Sequence, residues 1–289
     1  MLNYIIAINT YHRPTNLVER CVSASLNQKI KPQKVILINQ NKIPIRLSED
    51  IINNPLFEIQ TTENSSVSSA RNILKILGGT EWIFFCDDDG YPSSEYSEKL
   101  NQIINDNDYE ILAGSIVRDD NRDFYSLRHK KGGSLKYFRN TKNLMGSNFV
   151  IKAEIFDKLG RFDENFGAGS YWGSSEETDF CWKAYFAGVK MEFFPELVVY
   201  HLPPFNESVL QGFNKSFLYG VGKGALVWKW LMMKKKIKVL YELTEMMVVP
   251  FIQMALGLLT LKPQLIPNYV ATISGRVYGL IKAAFVKKQ

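Results

Sequence analysis

Short apolar runs alternate with amphipathic stretches through the first two thirds of the chain. The runs that we predict to be strands are residues 4–10, 34–39, 57–61 and 82–86. The stretches with helical periodicity are residues 15–27 and 65–77. Because a helix between two strands requires a right-handed crossover, successive strands pair in parallel. We therefore predict an α/β fold with a mostly parallel central sheet flanked by helices.

The chain between residues 93 and 200 has a less regular pattern. We expect the polar, charged residues 119–140 to form a mobile loop. The remaining predicted elements are extended residues 110–117 and 148–152, helices at 93–105, 154–159 and 176–187, and apolar segments at 191–194 and 197–200. Composition is that of a globular protein, since 46% of the residues are hydrophobic and three scattered cysteines exclude a disulfide scaffold. We predict one domain over residues 1–210 and a helical module over residues 211–289.

Three adjacent carboxylates follow the wholly apolar segment Trp82–Cys86. Asp87, Asp88 and Asp89 repel one another unless water, a cation or basic groups neutralise them. They stand at the carboxyl end of a predicted strand, which is where open α/β sheets bind ligands. Carboxylates are the ligands of Mg²⁺ and Mn²⁺. We favour a metal site here over the alternative, a solvated acidic turn.

A second acidic cluster contains Glu176, Glu177 and Asp179 at the start of a predicted helix. Acidic residues in a first helical turn also suit the helix dipole, so the cluster by itself is explained without function. The preceding loop, residues 166–173, changes this balance because it combines glycines with aromatic side chains that can stack on a sugar ring. A carboxylate beside such a loop can act as a general base on a hydroxyl.

Two further residues are candidates on weaker grounds. His201 ends the apolar segment LVVYH; it is either a core histidine or a third metal ligand beside the aspartates. Arg71 lies in the predicted helix that begins near Ser65, and an arginine near a helix start suits a diphosphate.

Taken in order, these segments resemble bacterial glycosyltransferase family 2 enzymes, which have the GT-A fold. The resemblance covers about residues 3–203 and includes Asp87–Asp89 as the DXD motif and the acidic segment before a helix. Its other segments are Thr10–Pro14, Ser69–Asn72, Gly146–Phe149, Gly160–Glu164 and His201.

The resemblance implies an inverting, metal-dependent transfer of a sugar from a nucleotide-diphosphate donor to a hydroxyl. It implies Mn²⁺ or Mg²⁺ on Asp87, Asp89 and His201, where the cation stabilises the leaving diphosphate. It implies that Glu177 is the catalytic base, with Asp179 and Glu176 as rivals. The donor-binding positions that it implies are Thr10, Tyr11, Arg13, Asn39, Arg71, Asp87 and Asp88. The acceptor-binding positions are Gly169, Trp172 and Ser175.

This chain departs from the family pattern at two positions. Asn39 ends the second predicted strand where members of the family usually have an aspartate. An amide can still hydrogen-bond uracil or thymine, so we expect a UDP- or dTDP-sugar as donor. In the acidic segment, Glu177 stands where an aspartate is usual.

The C-terminal segment has a charge balance opposite to that of the rest of the chain. Residues 222–289 contain 11 Lys and Arg and 2 Asp and Glu, whereas residues 1–221 contain 24 and 27. Trp228 and Trp230 lie close to the basic cluster Lys234–Lys236 and Lys238. This combination favours an anionic membrane surface over nucleic acid, which we do not expect as a partner.

The apolar run at residues 246–261 has 16 residues and contains Pro250, so we expect it to be too short to span a bilayer. Residues 266–286 have the pattern of an interfacial helix. We predict peripheral or monotopic attachment to the cytoplasmic face of the inner (plasma) membrane. The alternatives are a homo-oligomer formed through the C-terminal helices and a re-entrant or spanning hairpin.

These observations predict a glycosyltransferase of surface polysaccharide biosynthesis (capsule, O-antigen or exopolysaccharide) that acts on a lipid-linked glycan. The first residues contain no basic segment followed by a long apolar run, so we expect no signal peptide. One alternative is a catalytically inactive GT-A-like protein that binds nucleotide sugars. Another is a nucleotidyltransferase, although that class would require a glycine-rich phosphate loop, and residues 11–15 contain no glycine.

Overall fold

A computed structural model describes residues 2–64, 66–203, 208–259 and 266–286. The chain divides into two compact units. The first unit is Met1–Asp163 with Phe180–Pro204, and the second is Glu164–Asp179 with Phe205–Gln289. The acidic cluster and its glycine-rich loop thus group with the C-terminal helices, which the sequence did not indicate. The domain boundary after residue 210 stays a prediction.

Within the described residues, the first unit contains one eight-stranded sheet. Its strands are β1 Tyr4–Thr10, β2 Lys34–Asn39, β3 Phe57–Thr61, β4 Trp82–Asp87, β5 Gly90–Pro92, β6 Ile111–Arg118, β7 Asn148–Lys152 and β8 Met191–His201. The helices are α1 Thr15–Leu26, α2 Glu49–Ile52, α3 Val67–Asn72, α4 Tyr96–Asp106, α5 Leu127–Lys131, α6 Ala153–Lys158 and α7 Glu176–Ala187, and a 3₁₀ helix covers Phe138–Asn143. The first four residues of α7 belong to the second unit.

The sheet has the strand order β3-β2-β1-β4-β7-β6-β8-β5. Strands β3, β2, β1 and β4 are parallel, as the alternation of strands and helices predicts. The other half is mixed, because β7 enters antiparallel between β4 and β6, and β5 pairs antiparallel with β8. The α/β class with flanking helices is confirmed, and the sheet is more mixed than predicted.

Side chains of the central strands alternate between two helix-covered faces. On β4, Ile83 and Phe85 pack into the core that includes α3, α6 and α7. Phe84 and Cys86 pack into the opposite core with α1 and α4. Both faces are apolar because both are covered by helices, which explains the unbroken run of apolar residues before Asp87.

One predicted helix and two predicted apolar segments of the first unit differ from the structure. The predicted helix at 65–77 is shorter, since α3 covers Val67–Asn72 and Ser65 lies outside the described residues. The apolar segments at 191–194 and 197–200 form the single strand β8, whose pairing with β6 shifts register between Gly114 and Ser115.

The predicted mobile loop at 119–140 is instead packed against the sheet. It contains α5, and it buries His129 and Leu135. His129 Nδ1 accepts a hydrogen bond of 2.9 Å from the Ile116 amide on β6, and its Nε2 lies 3.2 Å from the Asn143 carbonyl. Phe138 is buried as well. These few buried residues are outnumbered by polar ones, and for this reason the composition of the segment resembled that of a loop.

The described helices of the second unit, besides the start of α7, are α8 Val209–Trp228, α9 Leu240–Leu259 and α10 Ile266–Phe285. A π-helical turn, Lys229–Met233, and a 3₁₀ turn, Ile237–Val239, connect α8 to α9. Helices α8 and α10 pack backbone against backbone. A Cβ added at Gly224 or Gly279 would collide with a carbonyl oxygen of the facing helix, that of Arg276 or Val221.

Helix α9 corrects the sequence-based expectation of an interrupted apolar run. It continues through Pro250, and Ile237–Leu259 is long and apolar enough, by length and composition alone, to cross a membrane. Glu242 does not limit the helix either, because it is buried and lies 2.6 Å from Lys223 Nζ of α8. A proline removes one backbone hydrogen bond, and a helix can bend there without ending.

Candidate active site

The run Asp87–Asp89 lies where β4 ends and the chain turns into β5. Asp88 and Asp89 are buried, at 4% and 6% exposure, and Asp87 is half-buried. Buried carboxylates need partners with the opposite charge or hydrogen-bond donors. Those partners come from distant segments that meet at the carboxyl edge of the sheet.

Arg13, in the loop after β1, contacts two of the three carboxylates. Its Nε lies 2.9 Å from Asp88 Oδ1 and its Nη2 lies 3.0 Å from Asp89 Oδ2. His12, just before it, has a φ of 50°, a left-handed conformation that residues other than glycine adopt rarely. Burial raises the pKa of Asp88 to about 6, against the opposing charge of Arg13. Arg13 and the carboxylate run therefore form one charged cluster.

Arg71 is almost fully buried behind Asp87. Its Nη2 lies 3.1 Å from Asp87 Oδ1, and its Nε donates a 3.3 Å hydrogen bond to Asn9 Oδ1 of β1. The guanidinium carbon also lies 5.5 Å from the centre of the Phe162 ring. The helix that carries Arg71, α3, is capped by Ser66, whose side chain accepts a hydrogen bond from the Ser69 amide. A buried arginine at this place adds positive charge to the sheet edge that carries the aspartates.

Strand pairing brings His201 to Asp89. His201 is the last residue of β8 and pairs with Gly90, the residue that follows Asp89. Its Nε2 lies 2.9 Å from Asp89 Oδ1, and its Nδ1 lies 2.9 Å from the Leu202 carbonyl. Burial lowers the pKa of His201, but the contact with Asp89 outweighs burial and raises this pKa to about 9. Burial likewise opposes ionisation of Asp89, and His201 and Arg13 lower its pKa.

Asp87, Asp89 and His201 form a group suited to a cation. Each offers one ligand atom, and these atoms lie within 4.8 Å of one another. Two carboxylate oxygens and one imidazole nitrogen are donors that Mn²⁺ accepts and that leave positions for water or phosphate oxygens. The three residues that the resemblance implied as metal ligands are thus brought together.

At the end of β2, where we predicted contact with the nucleobase of the donor, side-chain amides form a hydrogen-bond network. The buried Asn39 accepts through Oδ1 from the backbone amide and the side-chain amide of Asn41, at 3.1 and 2.7 Å. Asn41 Oδ1 in turn accepts from the His12 amide at 2.8 Å. Thr10, at the end of β1, is buried, and the neighbouring Tyr11 is half exposed. Asn39 therefore holds the loop after β1.

In the second unit, the three acidic candidates have different surroundings. Asp179 is fully buried, and its Oδ1 lies 2.6 Å from Lys229 Nζ and accepts a 2.7 Å hydrogen bond from Trp230 Nε1. Glu176 is buried and Glu177 is half-buried. Trp230 thus serves the acidic cluster, whereas the sequence indicated a place at a membrane surface.

The loop before α7 is compact and conformationally constrained. Gly167, Gly169, Gly173 and the non-glycine Ser175 all have positive φ, with 76° at Ser175. Glycine adopts a positive φ freely, whereas Ser175 is strained there. Such strain persists where the surrounding structure holds it, and it is frequent in active sites. Trp172 is buried at 8% exposure, whereas its neighbour Tyr171 is 57% exposed.

Sequence reasoning missed several residues that support these clusters. In the first unit, Arg20 lies 2.7 Å from Asp119 Oδ2 and stacks over Tyr91, and the Tyr125 ring lies 5.0 Å from that of His201. Asp119 follows the carboxyl end of β6, so its position at a strand end was a usable signal. In the second unit, Lys229 contacts Asp179 and Lys282 contacts Tyr171, and nothing in the sequence around either lysine indicated these contacts.

A helix-flanked mixed sheet with an Asp-Asp-His group at its edge, beside the buried Arg71 and the half-buried Arg13, is the arrangement expected of a glycosyltransferase of the GT-A fold. The family model described as Glycosyl transferase family 2 matches residues 5–160, more than half of the chain, and the protein belongs to this family.

Solved structures share the fold at low sequence identity. S. aureus TarS 1-349 aligns over 77% of this chain with a TM-score of 0.58 and 15% identity, and its complex with UDP-GlcNAc gives 80%, 0.57 and 14%. GalNAc-T7 with UDP, GalNAc and Mn²⁺ aligns over 75% with a TM-score of 0.55 and 15% identity. The chain covers 65% and 67% of the two TarS chains and 47% of the GalNAc-T7 chain. No curated protein matches the sequence.

Proposed function

We propose that this glycosyltransferase is an inverting, metal-dependent enzyme that transfers a sugar from a UDP- or dTDP-sugar to a hydroxyl of a lipid-linked glycan, in the biosynthesis of a surface polysaccharide. The observation that carries the proposal is the grouping of Asp87, Asp89 and His201 beside Arg13 and Arg71. The fold relatives solved with UDP-GlcNAc, and with UDP, GalNAc and Mn²⁺, support a nucleotide-sugar donor and a divalent cation.

Asp87, Asp89 and His201 would hold Mn²⁺ or Mg²⁺. When bound, the cation would neutralise charge on the diphosphate leaving group. Arg71 and Arg13 add fixed positive charge on the protein side, and both are already ordered by the carboxylates. Such preorganised charge favours departure of a diphosphate because no reorganisation is needed during the reaction.

Glu177 is the proposed general base. It takes the proton from the acceptor hydroxyl while the hydroxyl oxygen bonds to the anomeric carbon. The bond from that carbon to the diphosphate oxygen breaks with its electron pair, and configuration inverts. Asp179 is the weaker rival because its side chain is fully buried and its Oδ1 is held by Lys229 and Trp230, and Glu176 is more buried than Glu177. Gly169, Trp172 and Ser175 are proposed to line the acceptor position; the exposure of Tyr171 supports adding it as a stacking surface for a sugar ring.

The C-terminal helices are proposed to attach the enzyme to the cytoplasmic face of the inner (plasma) membrane. Helices α9 and α10 expose many large apolar side chains, among them Phe251, Ile252, Leu259, Ile281 and Phe285. Exposed apolar surface of this extent is characteristic of a membrane or protein interface. The basic cluster Lys234–Lys236 and Lys238 supports an anionic membrane as the partner.

The test is nucleotide release from a panel of UDP- and dTDP-sugars, with and without Mn²⁺, by the full-length protein. We expect release that requires the cation, is stopped by EDTA, and falls by about a hundredfold or more in Asp89→Asn. Asp106→Asn changes an exposed aspartate of α4 and serves as the matched control. Cation-independent release, or equal rates in both variants, would contradict the proposal.

Glu177→Gln should bind the donor normally and lose transfer to an acceptor.

A further inference from the structure

The second unit contains the acidic cluster together with the helices of the C-terminal segment, and specific side chains join them. Two donors from consecutive residues, Lys229 Nζ and Trp230 Nε1, meet on one oxygen of Asp179. On a regular helix, consecutive side chains point in different directions. Here both belong to the π-helical turn that follows α8, and such turns are frequent at functional sites. Asp179 is therefore held from outside its own helix.

The loop that precedes the acidic cluster is held by the same helices. Lys282 Nζ of α10 lies 4.0 Å from the centre of the Tyr171 ring and 5.2 Å from that of Trp172. Lys229 Nζ lies 4.9 Å from the centre of the Phe166 ring. These are cation–π distances, and they link loop aromatics to two separate helices.

Contacts with α8 fix the end of the loop next to the acidic residues. The Ser174 hydroxyl donates a 3.2 Å hydrogen bond to the Tyr219 carbonyl of α8. One turn further along α8, a Cβ at Gly222 would lie 2.8 Å from the Ser174 carbonyl oxygen and 2.9 Å from that of Trp172. The loop backbone can approach α8 this closely only because residue 222 is a glycine.

Glu177 lies between these two attachments, with Ser174 on one side and Asp179 on the other. The left-handed Ser175 lies between the first attachment and Glu176, and its carbonyl accepts from the Asp179 amide at 2.9 Å. Conformational strain at Ser175 persists only if its surroundings keep the segment in place. The segment that carries Glu177 is therefore attached on both sides to residues 45 to 50 positions further along the chain.

We propose that Lys229 and Trp230 are positioning residues for the catalytic base, and that Lys282 positions the aromatic pair Tyr171 and Trp172 beside it. The C-terminal segment is then a structural part of the acceptor-side machinery, in addition to its proposed role in membrane attachment. This inference rests on the proposed role of Glu177. It makes the turnover of the enzyme sensitive to the packing of its C-terminal helices.

The test compares full-length Lys229→Met, Trp230→Phe and Lys282→Met with the wild type. Lys229→Met keeps most of the aliphatic stem and removes the charge. Trp230→Phe keeps the ion pair and removes the indole donor together with part of the buried ring. Trp230→Phe tests the site even if Lys229→Met folds poorly. We expect the kcat of transfer to fall about ten- to hundredfold, because a small misplacement of a catalytic group is sufficient for this loss. The KM for the donor should stay within about twofold. Lys229→Arg, which can still donate to Asp179, should restore most of the kcat.

Amide hydrogen exchange provides a readout that does not need activity. We expect faster exchange in residues 166–178 of Lys229→Met and Lys282→Met, and wild-type exchange in Lys158→Met, which removes an exposed lysine of α6. Unchanged exchange in residues 166–178, or a normal kcat in Lys229→Met beside an inactive Glu177→Gln, would overturn the positioning role. Full transfer by Glu177→Gln would contradict the proposed base itself, which separates the two failures.

Discussion

His129 shows how one buried side chain makes stability depend on pH. Both ring nitrogens are used by the neutral form, with Nδ1 accepting from the Ile116 amide and Nε2 facing the Asn143 carbonyl. Burial lowers the pKa of His129 to about 4, whereas the unfolded chain has a histidine pKa of about 6.5. Between these values the unfolded state binds more protons, so the free energy of unfolding decreases as pH falls through this window.

The first prediction follows from this difference. We expect His129 to account for a loss of about 2–3 kcal/mol in the free energy of unfolding between pH 6.5 and pH 4. Urea denaturation over this range should give a shallower pH dependence for His129→Gln than for the wild type. His12→Gln changes an exposed histidine and should keep the wild-type slope. An unchanged slope in His129→Gln would show that this side chain is protonated without cost in the native state.

The sequence predicted individual residues of the candidate site only where the ends of neighbouring strands bring their side chains together. Asp89 follows β4, and His201 ends β8, so both lie at one sheet edge once the strands are identified. The contacts of Lys229 with Asp179 and of Lys282 with Tyr171 leave no such trace, because no periodicity links residues so far apart in the sequence. The sequence therefore predicted which residues are chemically important and missed those that hold them.

Among the secondary-structure elements, strands were predicted better than helix ends. The predicted apolar runs form β1, β2 and β4, and both faces of those strands are buried. The predicted helix at 65–77 ends at Asn72 instead, although Leu74 beyond it is buried in the core. Arg161 Nη1 donates a 3.1 Å hydrogen bond to the Leu74 carbonyl, which satisfies that group without a helix. The apolar periodicity there indicated which residues are buried and did not indicate where the helix ends.

The crossing of α8 and α10 gives a prediction in which two effects have opposite signs. Replacing a glycine inside a helix by alanine normally stabilises the helix by about 1 kcal/mol. At Gly279, however, the new Cβ would meet the Val221 carbonyl of α8, and overpacking costs about 1–3 kcal/mol. We expect Gly279→Ala to lower the Tm of the full-length protein. Ser274→Ala, at an exposed position of the same helix, should leave the Tm unchanged or raise it slightly. A higher Tm in Gly279→Ala would mean that the helices cross less closely than the structure shows.

At the scale of the whole molecule, charge divides the chain into a mildly acidic part and a strongly basic C-terminal segment. Residues 1–221 have three more acidic than basic residues, and residues 222–289 have nine more basic than acidic ones. Composition alone does not distinguish a membrane surface from an oligomer interface for the second part. The structure adds that α9 and α10 expose apolar side chains and that the acidic Glu242 is buried against Lys223. The cationic cluster after α8 therefore has few acidic neighbours in its own sequence segment to neutralise it.

This distribution predicts salt-sensitive binding to anionic membranes. Each lysine near an anionic surface contributes about 1 kcal/mol. Replacing Lys234, Lys235, Lys236 and Lys238 by glutamine should therefore lower the partitioning of the full-length protein onto vesicles of phosphatidylglycerol and phosphatidylcholine by about tenfold or more at low salt. Sedimentation with these vesicles, and with pure phosphatidylcholine vesicles, measures the effect.

The matched control replaces four exposed lysines of the first unit, Lys42, Lys130, Lys131 and Lys158, by glutamine. If nonspecific charge governs binding, both quadruple variants lose partitioning equally, and the C-terminal segment has no special role at the membrane. If the wild type remains in the supernatant and instead sediments as a dimer in analytical ultracentrifugation, the exposed faces of α9 and α10 form an interface between copies of this chain. We expect only the C-terminal variant to lose vesicle binding. We also expect high salt to abolish the electrostatic part of the binding of the wild type, because attraction to a charged surface is screened within about 10 Å at 0.1 M salt.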